Sequence, residues 1–573
     1  MQLIILKKCY QVSLCEVDMN LKEALKRLYP NTYQETYTSI LSLIEDEKIN
    51  KDSTWLNEHD VMLITYGDSI LKKNEKPLKT LHHFLKSYTK GFIPNVHLLP
   101  MYPYTSDDGF SVIDYEKINP DLGSWNDIKS ISLDYALMFD GVINHISKES
   151  DWFKGYLNQD PNYQDYFIPC DPDQDYSKVT RPRALPLYYP YHSQNGIQYI
   201  WATFSEDQVD LNYKNPKVLL HILKIMIFYA KQGAKFIRLD AIGFLWKELG
   251  TSCIHLPETH LLIKIIRYVI DQTVPGTLLI SETNVPHLEN ISYFGDQDDE
   301  ASLVYQFPLP PLVLYTYMTK NVLILSRWIK SLDLTPLHPR HTYFNFLASH
   351  DGIGVRPVEG ILSEDQKMMM INHVIQAGGK ISYKNNPDGK TSPYEMNISY
   401  VDAITYGEEE SLHVDKFISS QAILIFLKGM PGIYIHSLLG TRNDLEGLNA
   451  SGINRRINRK KLSYDDLSKS LSEIDSFESK VMHAYLKLIS YRKSHRAFSP
   501  DSKQEVLDLD PRILALKRYH MDDDEAIYVY INVSGDLIQM NLDIEGINLK
   551  TLLTVHKSMT IEPYAYELVK VKR

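Results

Sequence analysis

The sequence has little cysteine, no excess of positive charge and no long apolar run, and each shortage narrows the reading. Cys9, Cys15, Cys170 and Cys253 are too few and too scattered for a disulfide framework or a metal site of recognisable spacing, so a reducing cytoplasm is the expected compartment. Lys and Arg number 61 against 72 Asp and Glu, a net charge of −11 that disfavours adhesion to nucleic acid or to an anionic membrane. The most apolar segments, "LLHILKIMIFYAKQG" and "QAILIFLKGMPGIYI", are broken by Lys224, Lys428 and Pro431. Both fall short of the roughly 20 residues that a membrane span needs. The opening "MQLIILKKCYQVSLCEVD" is apolar, but Lys7 and Lys8 interrupt it, so no secretion signal is read. Glycine-rich phosphate loops are also missing after the early strand-like segments, which counts against a doubly wound nucleotide-binding sheet.

What is present is an alternation of short apolar strands with amphipathic segments. Strands are expected at "VMLITYG", "IPNVHLLP", "ALMFDGVINH", "AKFIRLD", "GTLLISE" and "YFNFLASHD". Between two of them, "PETHLLIKIIRYVIDQT" sets Leu261, Leu262, Ile265, Ile266, Val269 and Ile270 in one stripe at helical spacing behind Pro257. Repeated strand–helix–strand units point to an α/β protein built on a (β/α)8 TIM barrel. The expected organisation is a helical N-terminal extension at 1–58, a catalytic barrel at 59–495 with inserted subdomains at about 146–216 and 352–416, and a C-terminal β domain at 496–573.

Several strands end in charge. Residues two apart in a strand face the same side, so Arg238 and Asp240 in "AKFIRLDAIGF" point together from the carboxyl end, the active-site end of a barrel. A structural ion pair would account for that strand alone. Other strands end in Glu282, in His350 and Asp351, and in Asn144 and His145. Each desolvated carboxylate needs its own compensation, so convergence on one site is the simpler account. A metal centre is the weaker reading, because the spacing matches no local ligand motif. Paired carboxylates suit glycosyl transfer, in which one ionised group attacks the anomeric carbon and one protonated group releases the leaving oxygen. Arg238 is expected to hold Asp240 ionised, and apolar surroundings to raise Glu282 into acid/base range.

The motifs "DGVINH", "FIRLDAIGF", "LLISETN" and "ASHD" resemble the four hallmark regions of the alpha-amylase superfamily of glycoside hydrolases. "LDAIGFLWKELGTSC", "HDGIGVRP", "VHLLPMYPYTSDDGFSVIDYEKINPDLGSW" and "SGINRRINRKK" resemble its sucrose phosphorylase-like subfamily, over about residues 61–573. Within it, the N-terminal extension and "HDGIGVRPVEGIL" are most similar to glucosylglycerate phosphorylases. The resemblance implies a nucleophile at Asp240, an acid/base at Glu282 and a transition-state carboxylate at Asp351. It implies glucosyl-binding roles for Asp107, His145, Arg238 and His350, and acceptor- or phosphate-side roles for Tyr394 and Arg455. Phe110 and Phe153 are either sugar-facing walls or core packing.

Two departures bear on the acceptor. Glu395 follows Tyr394 where similar sucrose phosphorylases carry Gln, a charge that opposes an anion unless it is paired. Arg356 follows the "HD" pair where they tend to have an uncharged residue, and an added cation suits an acidic acceptor such as glycerate. The alternative is that Arg356 only pairs with Glu359 or Glu395. Arg181 and Arg183 either add positive charge or are structural. The expected function is a retaining alpha-glucoside phosphorylase yielding glucose 1-phosphate, with glucosylglycerate the favoured substrate. The alternatives are sucrose, sucrose 6-phosphate or glucosylglycerol phosphorylase, an alpha-glucosidase or transglucosidase, and a silent amylase-like binding protein. The expected partners are an alpha-glucoside and inorganic phosphate, with no nucleic acid or membrane, as a monomer or homodimer. No cofactor is expected: some alpha-amylases hold calcium near the asparagine of "DGVINH", whereas Asn144 is read here as a hydrogen-bonding residue.

Overall fold

A computed structural model describes residues 21–49, 54–334, 337–385 and 390–573, so the parts of the expected N-terminal helical extension at 1–20 and 50–53 lie outside the described residues. Eight strands, β1 (Met62–Thr65), β2 (Asn95–Leu98), β3 (Ala136–Gly141), β4 (Ala234–Leu239), β5 (Leu278–Ser281), β6 (Leu303–Tyr305), β7 (Thr342–Phe346) and β8 (Met430–Tyr434), close into a barrel in chain order. Every neighbouring pair is parallel, and β8 closes on β1 with Gly432 opposite Met62. Such strands are covered on both faces, which is why they read as continuous apolar runs. All residues of β1, β2, β5, β6, β7 and β8 are buried.

β6 and β8 fall where the sequence carries no strand signal. β6 is only three residues, "LVY", and β8 contains Pro431 and Gly432, residues that ordinarily mark turns. Gly432 is required there by close approach: a Cβ would stand 2.5 Å from the Phe344 ring on β7.

Around the barrel, α1 (Tyr33–Glu47) packs on α2 (Pro216–Lys231) and α3 (Pro257–Thr273), burying Ile40 and Leu43. α3 opens on Pro257 and buries Leu262, Ile265, Ile266, Val269 and Ile270. The sixth residue of the expected stripe, Leu261, is half-buried, and Ile263 is in the core instead. After β3, strand His145–Ser147 pairs with Gln208–Asp210, and Pro169–Cys170, Gly196–Trp201 and Tyr188–Ser193 form a small sheet. After β7, strands Ile353–Gly354, Thr391–Asn397 and Lys380–Asn385 form a second one. Both rise from the carboxyl ends of barrel strands.

The last part of the chain is a six-stranded antiparallel sheet between Lys503 and Lys572. Its strands alternate: Leu514, Leu516, Ile527, Val529 and Ile531 join the main core, while Ile513, Ala515 and Tyr530 form a separate cluster with Ile538, Ile561 and Val569. Buried Arg518 ties the sheet to the barrel by donating to the Phe426 carbonyl at 2.7 Å and the Ser499 carbonyl at 3.0 Å. Among the described residues no helix is long and apolar enough to cross a membrane.

Candidate active site

The carboxyl ends of the barrel strands and the two insertions enclose a cavity of about 710 Å3. The ten candidate catalytic and substrate-binding residues all line it: Asp107, His145, Arg238, Asp240, Glu282, His350, Asp351, Arg356, Tyr394 and Arg455. Asp240 is the first residue past β4 and Glu282 the first past β5, so the barrel's rigid hydrogen-bonded wall fixes where both begin. The turns beyond are strained. Ala241 adopts φ 51°, and its N–H donates to Glu282 Oε2 at 3.1 Å, while Asp107 and Asp108 are both left-handed at φ 54° and 49°. Non-glycine residues held in that region concentrate at functional sites.

Arg238 sits at the centre of the charges. It lies opposite Asp140 in the β4–β3 register and bonds to that carboxylate, which also receives His97 Nε2 at 2.7 Å. The same guanidinium donates to Asp240 Oδ1 at 2.9 Å and reaches Glu282 Oε2 at 3.7 Å. Its charge is therefore divided among three carboxylates. Burial raises Asp240, reinforced by the negative charges of Glu282, Asp140 and Asp351 and opposed by Arg238. Burial raises Glu282 as well, with Arg238 opposing. For Asp351 burial is more than reversed by Arg455 at 2.7 Å and Arg459 at 3.7 Å, and its carboxyl stays well below the usual range. Burial thus works against ionising both Asp240 and Glu282 at once. The shorter Arg238 contact favours charge on Asp240 and leaves the proton on Glu282.

Both cavity histidines are neutral. Burial lowers His145 to about 4 and His350 to about 3, so they offer hydrogen bonds and no charge. His145 Nε2 donates to the Phe110 carbonyl at 2.9 Å, and the Phe110 ring stacks on His350 with centroids 4.8 Å apart. Phe110 lines the cavity; Phe153 packs edge-on against Phe167 and Tyr191 in the core, which is the packing alternative.

Opposite Asp240 the cations are also engaged. Arg455 donates to both carboxylate oxygens of Glu395 at 3.1 Å, contacts Asp351 at 2.7 Å and faces Asp107 at 3.7 Å. Glu395, buried, accepts the Gly352 N–H at 2.8 Å, so the charge that departs from the sucrose phosphorylase pattern is paired. Arg183 holds Asp107 at 2.7 Å, and burial opposed by Arg183, Arg455 and Arg459 leaves that carboxyl far below its ordinary range. Arg356 meets neither Glu359 nor Glu395: its guanidinium reaches Glu289 at 3.3 Å, from the segment beyond β5. The Tyr394 hydroxyl accepts from Asn284 Nδ2 at 3.4 Å, and burial raises it to about 12.

The sequence reading missed Asp140, whose inward position on β3 was readable from strand alternation, and Arg459. The latter is buried, donating to the His350 carbonyl and to Asp108, both at 2.7 Å. It also missed Lys247, whose ammonium lies 2.8 Å from Asn144 Oδ1 and 2.7 Å from Asp210 Oδ2. Those oxygens are the donors a calcium ion near Asn144 would use, and the chain's own cation takes them, so the residues do not fit a metal there. Among the described residues one group has ligand atoms close enough to share an ion, Asp298, His338 and His341. It lies ahead of β6 and β7, away from the cavity, where Arg267 and Arg340 also face Asp298.

Residues 87–392 match the alpha-amylase catalytic-domain family. The chain is 47% identical over 525 residues to the glucosylglycerate phosphorylase of Spirochaeta thermophila, covering 90% of this chain and 89% of the relative. It is 41% identical over 555 residues to the glucosylglycerate phosphorylase of Escherichia coli, covering 95% and 99%. The crystal structure of sucrose 6F-phosphate phosphorylase from Thermoanaerobacter thermosaccharolyticum aligns with a TM-score of 0.73 at 26% identity, over 91% of this chain and 100% of that one. An eight-stranded barrel with carboxylates at the ends of β4 and β5, matched over nine-tenths of its length by such relatives, identifies the chain as an enzyme of the alpha-amylase family that groups with glucosylglycerate phosphorylases and, further off, with sucrose phosphorylases.

Proposed function

We propose that the protein is a retaining phosphorylase that converts glucosylglycerate and inorganic phosphate into α-D-glucose 1-phosphate and glycerate. One observation carries the reading: a single guanidinium, Arg238, reaches both Asp240 and Glu282, the two buried carboxyls at neighbouring strand ends of the cavity. Asp240 attacks the anomeric carbon while the Glu282 proton passes to the leaving glycerate oxygen, so the glycosidic bond breaks as a glucosyl ester of Asp240 forms. Phosphate enters the position glycerate has left. Its oxygen attacks the anomeric carbon, its proton returns to Glu282, and the ester bond to Asp240 breaks. Two inversions give net retention.

Asp351, kept ionised by Arg455 and Arg459, steadies positive charge developing on the sugar ring. Asp107, His145, Arg238 and His350 bind the glucosyl hydroxyls, and the two neutral histidines do so without adding charge beside the oxocarbenium. Tyr394, Arg356 and Arg455 stand on the acceptor side.

The test is to incubate the protein with glucosylglycerate, with and without phosphate, and follow products by 31P and 1H NMR. α-Glucose 1-phosphate appearing only with phosphate is the expected result. Glucose released at the same rate without phosphate would assign the protein to hydrolysis instead.

A further inference from the structure

Seven cations line the catalytic cavity, and most are already matched. Arg238 faces Asp140, Asp240 and Glu282; Arg455 faces Asp351, Glu395 and Asp107; Arg183 holds Asp107; Arg356 holds Glu289. Lys178 is exposed at the rim. Arg181, from the first insertion, and Lys384, on strand Lys380–Asn385 of the second, line the cavity without an ion-pair partner among the described residues. Arg181 also has a buried Nε with no hydrogen-bond acceptor.

A buried donor without an acceptor is costly, and so is a half-buried cation without a counter-charge, unless a ligand supplies one. Burial lowers the pKa of Arg181. Burial also lowers Lys384, with Arg356 and Lys367 adding to the effect and Glu359 opposing it. Both side chains are therefore placed where an anion would relieve them. The reaction brings two anions in turn to the same side of the anomeric carbon, the carboxylate of glycerate and then phosphate, so one pair of cations can serve both.

Resting on the function proposed above, we infer that Arg181 and Lys384 read the negative charge of the acceptor and of phosphate, and that Lys384 sets the preference for an acidic over a neutral acceptor. Arg455 is already engaged by Asp351, Glu395 and Asp107. Lys384 approaches from the same insertion as Tyr394, and the two stand on paired strands of one small sheet.

The test compares wild type with Lys384→Met and Arg181→Gln on three reactions: phosphorolysis of glucosylglycerate, its reverse with glycerate as acceptor, and hydrolysis of α-D-glucosyl fluoride, a donor whose leaving group carries no carboxylate. Losing a charge-assisted hydrogen bond to an anion should lower kcat/KM on glucosylglycerate and on glycerate by roughly ten- to a hundredfold and raise the KM for phosphate, with fluoride hydrolysis within about twofold of wild type. Lys384→Arg should recover most of the loss. Equal losses on all three reactions, or none, would overturn the inference while leaving the phosphorylase reading standing. A wild type that makes no glucose 1-phosphate from glucosylglycerate would remove both.

Discussion

The glucosyl end and the acceptor end of the cavity handle charge in opposite ways. At the glucosyl end the positive charges are answered within the chain: Arg238 by three carboxylates and Lys247, just below, by Asp210 and Asn144. At the acceptor end Arg181 and Lys384 line the cavity with no ion pair among the described residues, and the buried Nε of Arg181 has no acceptor. A neutral sugar ring needs fixed, already satisfied dipoles around it, because any charge left over would have to be solvated. An anion needs the reverse, a cation kept waiting. The contrast separates the groups that perform the bond exchange from those that choose what leaves and what enters.

The largest effect that would test the contrast lies at the glucosyl end. Asp240→Asn should lower glucose 1-phosphate formation by roughly ten-thousand-fold or more, with an unchanged circular dichroism spectrum, because the group proposed to form the covalent bond is gone. Near-normal turnover by the folded variant would dissolve the distinction. Next is Lys247→Met, which leaves the Asp210 carboxylate buried without its cation. Breaking such a pair costs about 3–5 kcal/mol, to be read from the urea midpoint. A loss under about 1 kcal/mol would mean that Thr203, which donates to both Asp210 oxygens at 2.7 Å, is enough on its own.

A third effect concerns the acid form of Glu282. Burial raises Glu282, so its acid form persists above the usual carboxylate range and is lost as pH rises through the raised value. Phosphorolysis of glucosylglycerate should therefore fall at alkaline pH by about tenfold per unit once past that point, whereas turnover of α-D-glucosyl fluoride, which needs no acid, should show no such limb. Both should fall at acid pH, when Asp240 is protonated too. The smallest effect is at Arg356. Held by Glu289, it should lose only about two- to fivefold in kcat/KM on Arg356→Ala, as a partly exposed pair is worth little. A hundredfold loss confined to acidic substrates would move the anion reading from Lys384 to Arg356.

Much of this was legible because the site is built from strand ends. Apolar runs that stop at Asp240, Glu282 and His350 announce a barrel face, and the parity of Arg238 and Asp240 puts them side by side. What could not be read was partnership. Arg238 finds Asp140 through the register between β4 and β3, 98 residues apart in the chain, so the sequence-adjacent Asp240 looks more fully paired than it is. Arg356 meets Glu289 through tertiary packing, where local charge patterns had pointed to Glu359 or Glu395. β8 was hidden by Pro431 and Gly432, because the steric demand of Phe344 on the neighbouring strand overrides the turn propensity of those residues. Lys384 carries no local signal. Only the fold of the second insertion turns one lysine among many toward the cavity.

The ammonium of Lys247 ties the first insertion to the barrel at Asn144 and Asp210. A divalent ion in that place would make the junction obey mass action, loosening whenever the free ion ran low or a chelator competed for it. A cation attached to the backbone has a fixed effective concentration and cannot be exchanged for another species. The medium can reach it only through the proton, since an ammonium is lost by deprotonation alone, and burial has moved that loss toward lower pH than a surface lysine would show. The junction should thus be indifferent to calcium and chelators.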